Sequence, residues 1–123
     1  MQPVNVGVIG VGHLGQHHAR LYAGLPQTRL VGVYDTDPVR AKTIADRHGC
    51  RIFQDPQALV GAAQAVSVAA PTTFHHALAK MCLEQGRHVL VEKPIAVTVA
   101  EAQELVDLAK ARHGQQLLVP MRG

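Results

Sequence analysis

Short apolar runs alternate with amphipathic stretches along this chain, and glycine, proline and aspartate mark most of the boundaries. Val4 to Gly10 reads as a buried strand, because a short apolar run ends in glycine. A helix is expected from about His13 to Leu25, stopped by Pro26. Leu30 to Asp35 is the second strand. Asp37 and Pro38 then supply an N-cap and a first helical residue, for a helix that runs to about His48 and ends at Gly49. Cys50 to Phe53 is a short third strand, and Asp55-Pro56 opens a brief helix through Val60.

Ala65 to Ala69 is the fourth strand. Thr73 is the expected cap of the helix after it, with Phe74, Ala77, Leu78, Met81 and Cys82 as its apolar stripe and Gly86 as its end. His88 to Val91 is the fifth strand. Thr98-Val99-Ala100-Glu101 is a capping box. It opens a helix with Ala102, Leu105, Val106 and Ala109 on one face, closing at Gly114, before a sixth strand from Gln116 to Val119. Strands that alternate with helices make a parallel sheet, since parallel neighbours need a crossover. Right-handed crossovers then give an α/β, doubly wound sheet in the order 3-2-1-4-5-6. A chain of 123 residues fits one such domain.

Composition narrows the function. Hydrophobic residues make up 47% and aromatics only 3%, so the core is built from Val, Leu, Ile and Ala, as suits buried parallel strands. That aromatic content, and basic residues too scattered to track a phosphate backbone at a net charge of +3, argue against nucleic acid as a partner. No apolar run approaches the roughly 20 residues of a membrane span. The first residues do not resemble a secretory signal. Cys50 and Cys82 form no CxxC pair, and each sits beside apolar residues, so both are expected as buried free thiols in a reducing cytoplasm.

Gly10-Val11-Gly12-His13-Leu14-Gly15 is a GxGxxG. Here it follows a strand and opens a helix at the start of a βαβ unit, the context in which such a loop holds a dinucleotide. Gly10 makes the tight turn, Gly12 admits a pyrophosphate close to the backbone, and Gly15 lets helix and strand pack closely. Free N–H groups and the positive end of the helix dipole, at His13 and Leu14, hold the diphosphate. Asp35 follows Gly15 by twenty residues at the end of the second strand, where a carboxylate accepts from the adenosine ribose hydroxyls and repels a 2′-phosphate. That favours NAD over NADP. Two alternatives stay open: Asp35 as a cap of the Asp35-Thr36-Asp37-Pro38 turn, and Arg40 as a partner for a 2′-phosphate.

Ala70, Pro71 and Thr72 end the fourth strand, with His75 one helical turn on, and Glu92, Lys93 and Pro94 end the fifth. In an open α/β sheet the carboxyl ends of these strands border the ligand crevice. A lysine there faces the nicotinamide end of a cofactor. At this point the chain resembles the Gfo/Idh/MocA oxidoreductases, on VGVIGVGHLGQHHARLYAGLP, LVGVYDTDPVRAKTIADRHG, VAAPTTFHHALAKMCLEQGRHVLVEKP and IAVTVAEAQELVDLAKARHG. The combination of glycine loop, APT..H segment and EKP at these spacings carries the resemblance.

The resemblance implies an NAD-dependent dehydrogenase acting on a secondary hydroxyl of a sugar, nucleotide sugar or cyclitol, cytoplasmic and homo-oligomeric in full-length form. The HHAR helix start is similar to enzymes acting at C3 of UDP-N-acetylhexosamines. It also implies that Lys93 hydrogen-bonds the reacting hydroxyl or the cofactor ribose, that Pro94 shapes the turn, with a cis bond in view, and that Thr72 and His75 hold the nicotinamide ribose region. A solvated Lys93 and a capping or helix-surface His75 are the bland alternatives.

The eight histidines do not make a metal site on this reading: His13 and His17 are four apart, but no cysteine or acid completes a ligand set. Family members continue through an Arg-Phe pair into a second domain that carries the substrate pocket and acid/base group. The Pro120-Met121-Arg122-Gly123 ending departs from that pattern. The expectation is a cofactor domain, residues 1–123, without its catalytic partner and inactive alone. The other class is a stand-alone NAD(H)-binding or redox-sensing module that acts through a partner protein.

Overall fold

The computed structural model describes residues 2–112 and 116–118. Six strands, β1 (Val4–Ile9), β2 (Thr28–Tyr34), β3 (Arg51–Ile52), β4 (Ala65–Val68), β5 (His88–Val91) and β6 (Leu117–Leu118), form one sheet in the order β3-β2-β1-β4-β5-β6. Every pairing is parallel. The helices are α1 (His13–Gly24), α2 (Pro38–His48), α3 (Pro56–Ala62), α4 (His75–Glu84) and α5 (Val99–Ala111). The order is the one that the strand–helix alternation predicts. The expected Gly114 helix end, Val119 and the Pro120–Gly123 ending lie outside the described residues.

Alternation along the strands divides the core in two. Val8 and Val33 pack with Val11, Ala19, Ile44 and Ala45, beneath α1 and α2. Ile9, Val66, Val68, Val89 and Val91 pack with Leu59, Leu83 and Leu105, beneath α3, α4 and α5. Each fully buried aliphatic side chain stabilises the fold by about 1.5–3 kcal/mol. One polar contact crosses from α1 to β4: the Tyr22 and Ser67 hydroxyls are 2.6 Å apart.

Helix starts follow the sequence signals at three places. Asp37 accepts from the N–H groups of Val39 and Arg40, Asp55 from Ala58, and Thr98 from Glu101. Gly49 takes the left-handed conformation after α2, with φ 67°. Leu25, the residue before Pro26, is extended and ends α1 one residue early.

Thr73 does not cap α4. Thr72–Phe74 forms a 3₁₀ turn, and the Phe74 N–H bonds the Pro71 carbonyl at 2.9 Å, which stands in for a side-chain cap. The buried face of α4 is also turned by one residue from the expected stripe. It carries His75, Ala79, Cys82 and Leu83, while Phe74 is 53% exposed. The cause is His75, a polar residue in the most buried position of the first turn, which a count of apolar residues passes over. The two thiols differ as well. Cys82 is buried, and desolvation pushes its pKa up to about 12. Cys50 is half-buried rather than fully so, with a smaller rise from the same cause.

Where β1 turns into α1 the backbone leaves no room for a side chain. Gly10 has φ 89°, and a Cβ on Gly15 would stand 1.6 Å from the Gly10 carbonyl oxygen. No rotamer relieves a clash with backbone. Gly15→Ala is therefore expected to destabilise the chain by more than about 3 kcal/mol, at the severe end for a single substitution. Urea denaturation followed by circular dichroism measures this. A loss under about 1 kcal/mol would show that the turn has room to move.

Candidate cofactor site

The chain order reverses at β1, with β2 and β3 on one side and β4, β5 and β6 on the other. At such a switch point the loops leaving adjacent strands diverge and open a crevice. Gly10, Gly12, His13, Leu14, Asp35, Arg40, Ala70 and Pro71 all line one crevice here, of about 610 Å³. Gly15 lies against the Gly10 carbonyl at the base of α1.

No side chain caps α1, whereas α2, α3 and α5 each have a capping carboxylate or hydroxyl. An uncapped helix start offers N–H groups and a positive dipole end to an anion. A Cβ on Gly12 would meet only the Arg40 guanidinium, at 3.6 Å. The fold itself does not need glycine there. A side chain would instead take space beside the crevice, so the position fits a group that must come close to backbone. The donor set and the open cradle fit the pyrophosphate of a dinucleotide.

The Asp35 side chain is only 6% exposed and already engaged. Its Oδ2 accepts from the Val11 N–H at 2.9 Å, and its Oδ1 from the Asp37 N–H at 2.8 Å. It therefore caps the turn after β2 and also ties that turn to the glycine loop. Arg40 Nη1 lies 3.5 Å from Asp35 Oδ2, and Nη2 lies 3.9 Å from Asp37 Oδ2. The guanidinium is thus faced by two carboxylates at the edge of the crevice.

Thr72, His75, Glu92, Lys93 and Pro94 are not part of the crevice wall. Lys93 is exposed directly after β5, and its bond to Pro94 is cis. Glu92 is 3% exposed, and its Oε2 lies 3.4 Å from His18 Nε2. His75 is neither a capping residue nor a surface residue. It is buried, with Nδ1 2.8 Å from the Pro94 carbonyl and Nε2 2.7 Å from the Ala70 carbonyl. Both oxygens only accept, so the two bonds coexist when both ring nitrogens carry hydrogen. Thr72 is half-buried in the 3₁₀ turn.

Sequence reasoning missed the apolar side of the crevice: Tyr34, Pro56, Phe74 and Leu78. Phe74 and Leu78 belong to the apolar stripe expected for α4; Leu78 does pack against the core, and both also line the crevice. Their spacing of four on a face beside the buried one was the available signal. His18 was also missed, since nothing in the sequence ties it to a glutamate 74 positions later. Among the described residues no group of three or more His, Cys, Asp or Glu is arranged to hold a metal ion, and no helix is long and apolar enough to cross a membrane.

Known proteins share this arrangement. The UDP-N-acetylglucosamine 3-dehydrogenase of Acidithiobacillus ferrooxidans is 42% identical over 110 residues, 89% of this chain and 34% of that protein. Inositol 2-dehydrogenase 1 of Saccharopolyspora erythraea is 41% identical over 116 residues, covering 89% of this chain and 34% of its own length. The crystal structure of GenD2 from gentamicin A biosynthesis, in complex with NAD, superposes with a TM-score of 0.91 at 30% identity, over 97% of this chain and 34% of that one. The chain thus spans about a third of the length of the relatives it matches. The family model of the Gfo/Idh/MocA oxidoreductases, with an NAD-binding Rossmann fold, matches residues 4–120. With glycine loop, switch-point crevice and family match in agreement, the chain belongs to the Gfo/Idh/MocA family of NAD-binding oxidoreductases.

Proposed function

We propose that these residues are the cofactor domain of an NAD-dependent dehydrogenase that oxidises a secondary hydroxyl of a sugar, nucleotide sugar or cyclitol. The observation that carries the reading is a shared edge. The open cradle at Gly12 follows β1 and the exposed Lys93 follows β5, and the two strands run parallel in one sheet. The first turn of α1 and Gly12 would hold the pyrophosphate, Asp35 would face the adenosine ribose, and Tyr34, Phe74 and Leu78 offer an apolar wall for the adenine. Bound NAD would supply the two-electron acceptor. Lys93 would donate to the reacting oxygen and favour its alkoxide character, through a charge placed where charge develops. The similarity to a UDP-N-acetylglucosamine 3-dehydrogenase supports a nucleotide sugar as substrate. The free thiols support a reducing, cytoplasmic compartment. The acid/base group and the substrate pocket are assigned to sequence that the longer relatives carry beyond the matched third.

Two carboxylates facing Arg40 leave little net positive charge for a 2′-phosphate, so NADH should bind at least about tenfold more tightly than NADPH. Calorimetric or fluorescence titration of the chain tests this. A second reading, NADPH binding, draws on the groove between α1 and α2, where Arg40 and Arg47 stand together. Equal or tighter NADPH binding would favour it and assign Asp35 to the turn alone. In the same titration Gly12→Val should lose NADH binding while its circular dichroism and melting stay close to the parent. Unchanged affinity would mean that the pyrophosphate does not sit at the loop.

Lys93 is tested in a polypeptide that also contains the remaining two thirds found in the relatives. A donor aimed at a developing charge contributes about 3–4 kcal/mol. Lys93→Ala should then lower kcat by at least about a hundredfold and leave the NAD dissociation constant within about threefold. Lys93→Arg should not restore it, since a planar guanidinium does not replace a compact ammonium. Near-normal kcat in Lys93→Ala would make Lys93 a surface residue. Lost NAD affinity with normal turnover at saturation would make it a cofactor clamp.

A further inference from the structure

Lys93 stands between two residues that are each held from a different helical layer. On the α1 side, His18 Nε2 meets the buried Glu92 carboxylate at 3.4 Å. The His18 ring is itself packed edge-on against Tyr22, with centroids 6.4 Å apart, and Tyr22 is joined to Ser67 of β4. On the α4 side, the His75 ring lies between two carbonyls, with Nδ1 2.8 Å from that of Pro94 and Nε2 2.7 Å from that of Ala70. The residues before and after Lys93 are thus tied down on opposite faces of the sheet, while its own side chain remains exposed.

We infer that His18 and His75 are positioning residues for Lys93: together they brace the Glu92-Lys93-Pro94 turn against β4 and hold the lysine at the same end of the sheet as the cofactor crevice. A buried carboxylate and a buried imidazole are a poor way to gain stability alone. Apolar side chains of similar volume stabilise a core at least as well, because ion pairs must first be desolvated. What the His75 contacts add is direction, and the His18–Glu92 contact adds a tether from α1. A hydrogen bond fixes distance and angle, and a bridge from one ring to two carbonyls fixes the separation of two chain segments. Through Ala70 the same ring also holds a wall of the crevice, so the lysine and the cofactor seat share one anchor.

The inference rests on the role proposed for Lys93, but its test needs neither substrate nor turnover. A chain of 13.2 kDa is suited to ¹⁵N relaxation measurements. In the parent chain the Lys93 amide should be rigid, with an order parameter near about 0.85, although its side chain is exposed. In His75→Ala, and separately in His18→Leu, it should fall below about 0.6 while the amide of Val8 in β1 stays rigid. His75→Gln keeps one donor and should restore part of the order. A merely structural role predicts a lower melting temperature with Lys93 as rigid as before, and that result overturns the inference. So does a mobile Lys93 amide in the parent chain, a measurement that needs no variant to fold. If Lys93→Ala proves kinetically silent while the brace is seen by relaxation, the proposed chemistry fails and the brace stands.

Discussion

The arrangement depends on one close approach, the Gly10 carbonyl against Gly15. It sets α1 directly on the end of β1, with no room for a methyl group. That contact aims the first turn of the helix at the crevice, where its N–H groups are left without a side-chain cap. It also lets Ala19 settle against Val8 and Val33 in the smaller of the two core layers. Asp35 then ties Val11, inside the loop, to the end of β2. The proposed anion site is therefore a product of backbone packing. The side chains that line it supply shape and charge balance around a seat already in place.

Most of the fold was legible because its signals are local. Asp37-Pro38, Asp55-Pro56, Gly49 and the Thr98 cap each act within a few residues, and a reader of the sequence sees the whole interaction. Strand order followed from alternation and handedness, which are also properties of neighbours along the chain. The errors share an opposite character. Thr73 was a plausible cap, but the carbonyl of Pro71 already served the Phe74 N–H. The buried face of α4 was set by His75, whose partners are the carbonyls of Ala70 and Pro94, the latter 19 positions away. No hydrophobic pattern records that a polar ring belongs inside.

The candidate site was legible to a similar depth. Eight of its residues, from Gly10 to Pro71, came from motifs and do meet in one crevice. Asp35 shows where motif reading passes over a second role: the carboxylate that the motif proposes for the ribose braces the loop and the turn through two backbone N–H groups. The residues around Lys93 show the other limit. His18 and Glu92 are far apart in sequence, and only the folding of α1 over β4 and β5 brings them together.

The position of β1 bears on how the chain is made. It is a central strand, and its register with β4 pairs Val6 with Ala65, 59 residues later. At synthesis rates of about 5–20 residues per second, a growing chain waits roughly 3–12 seconds between making the two strands. During that interval β1 can pair with β2 and be covered over Val8 by α1 and α2, but its other edge stays open and Ile9, on the opposite face, lacks the later strands and helices that pack on it. A ribosome-bound chain passes through a state in which the strand that founds the sheet has an unpaired edge. Mistakes in assembly are therefore favoured early, before the residues that complete the cofactor seat have been synthesised.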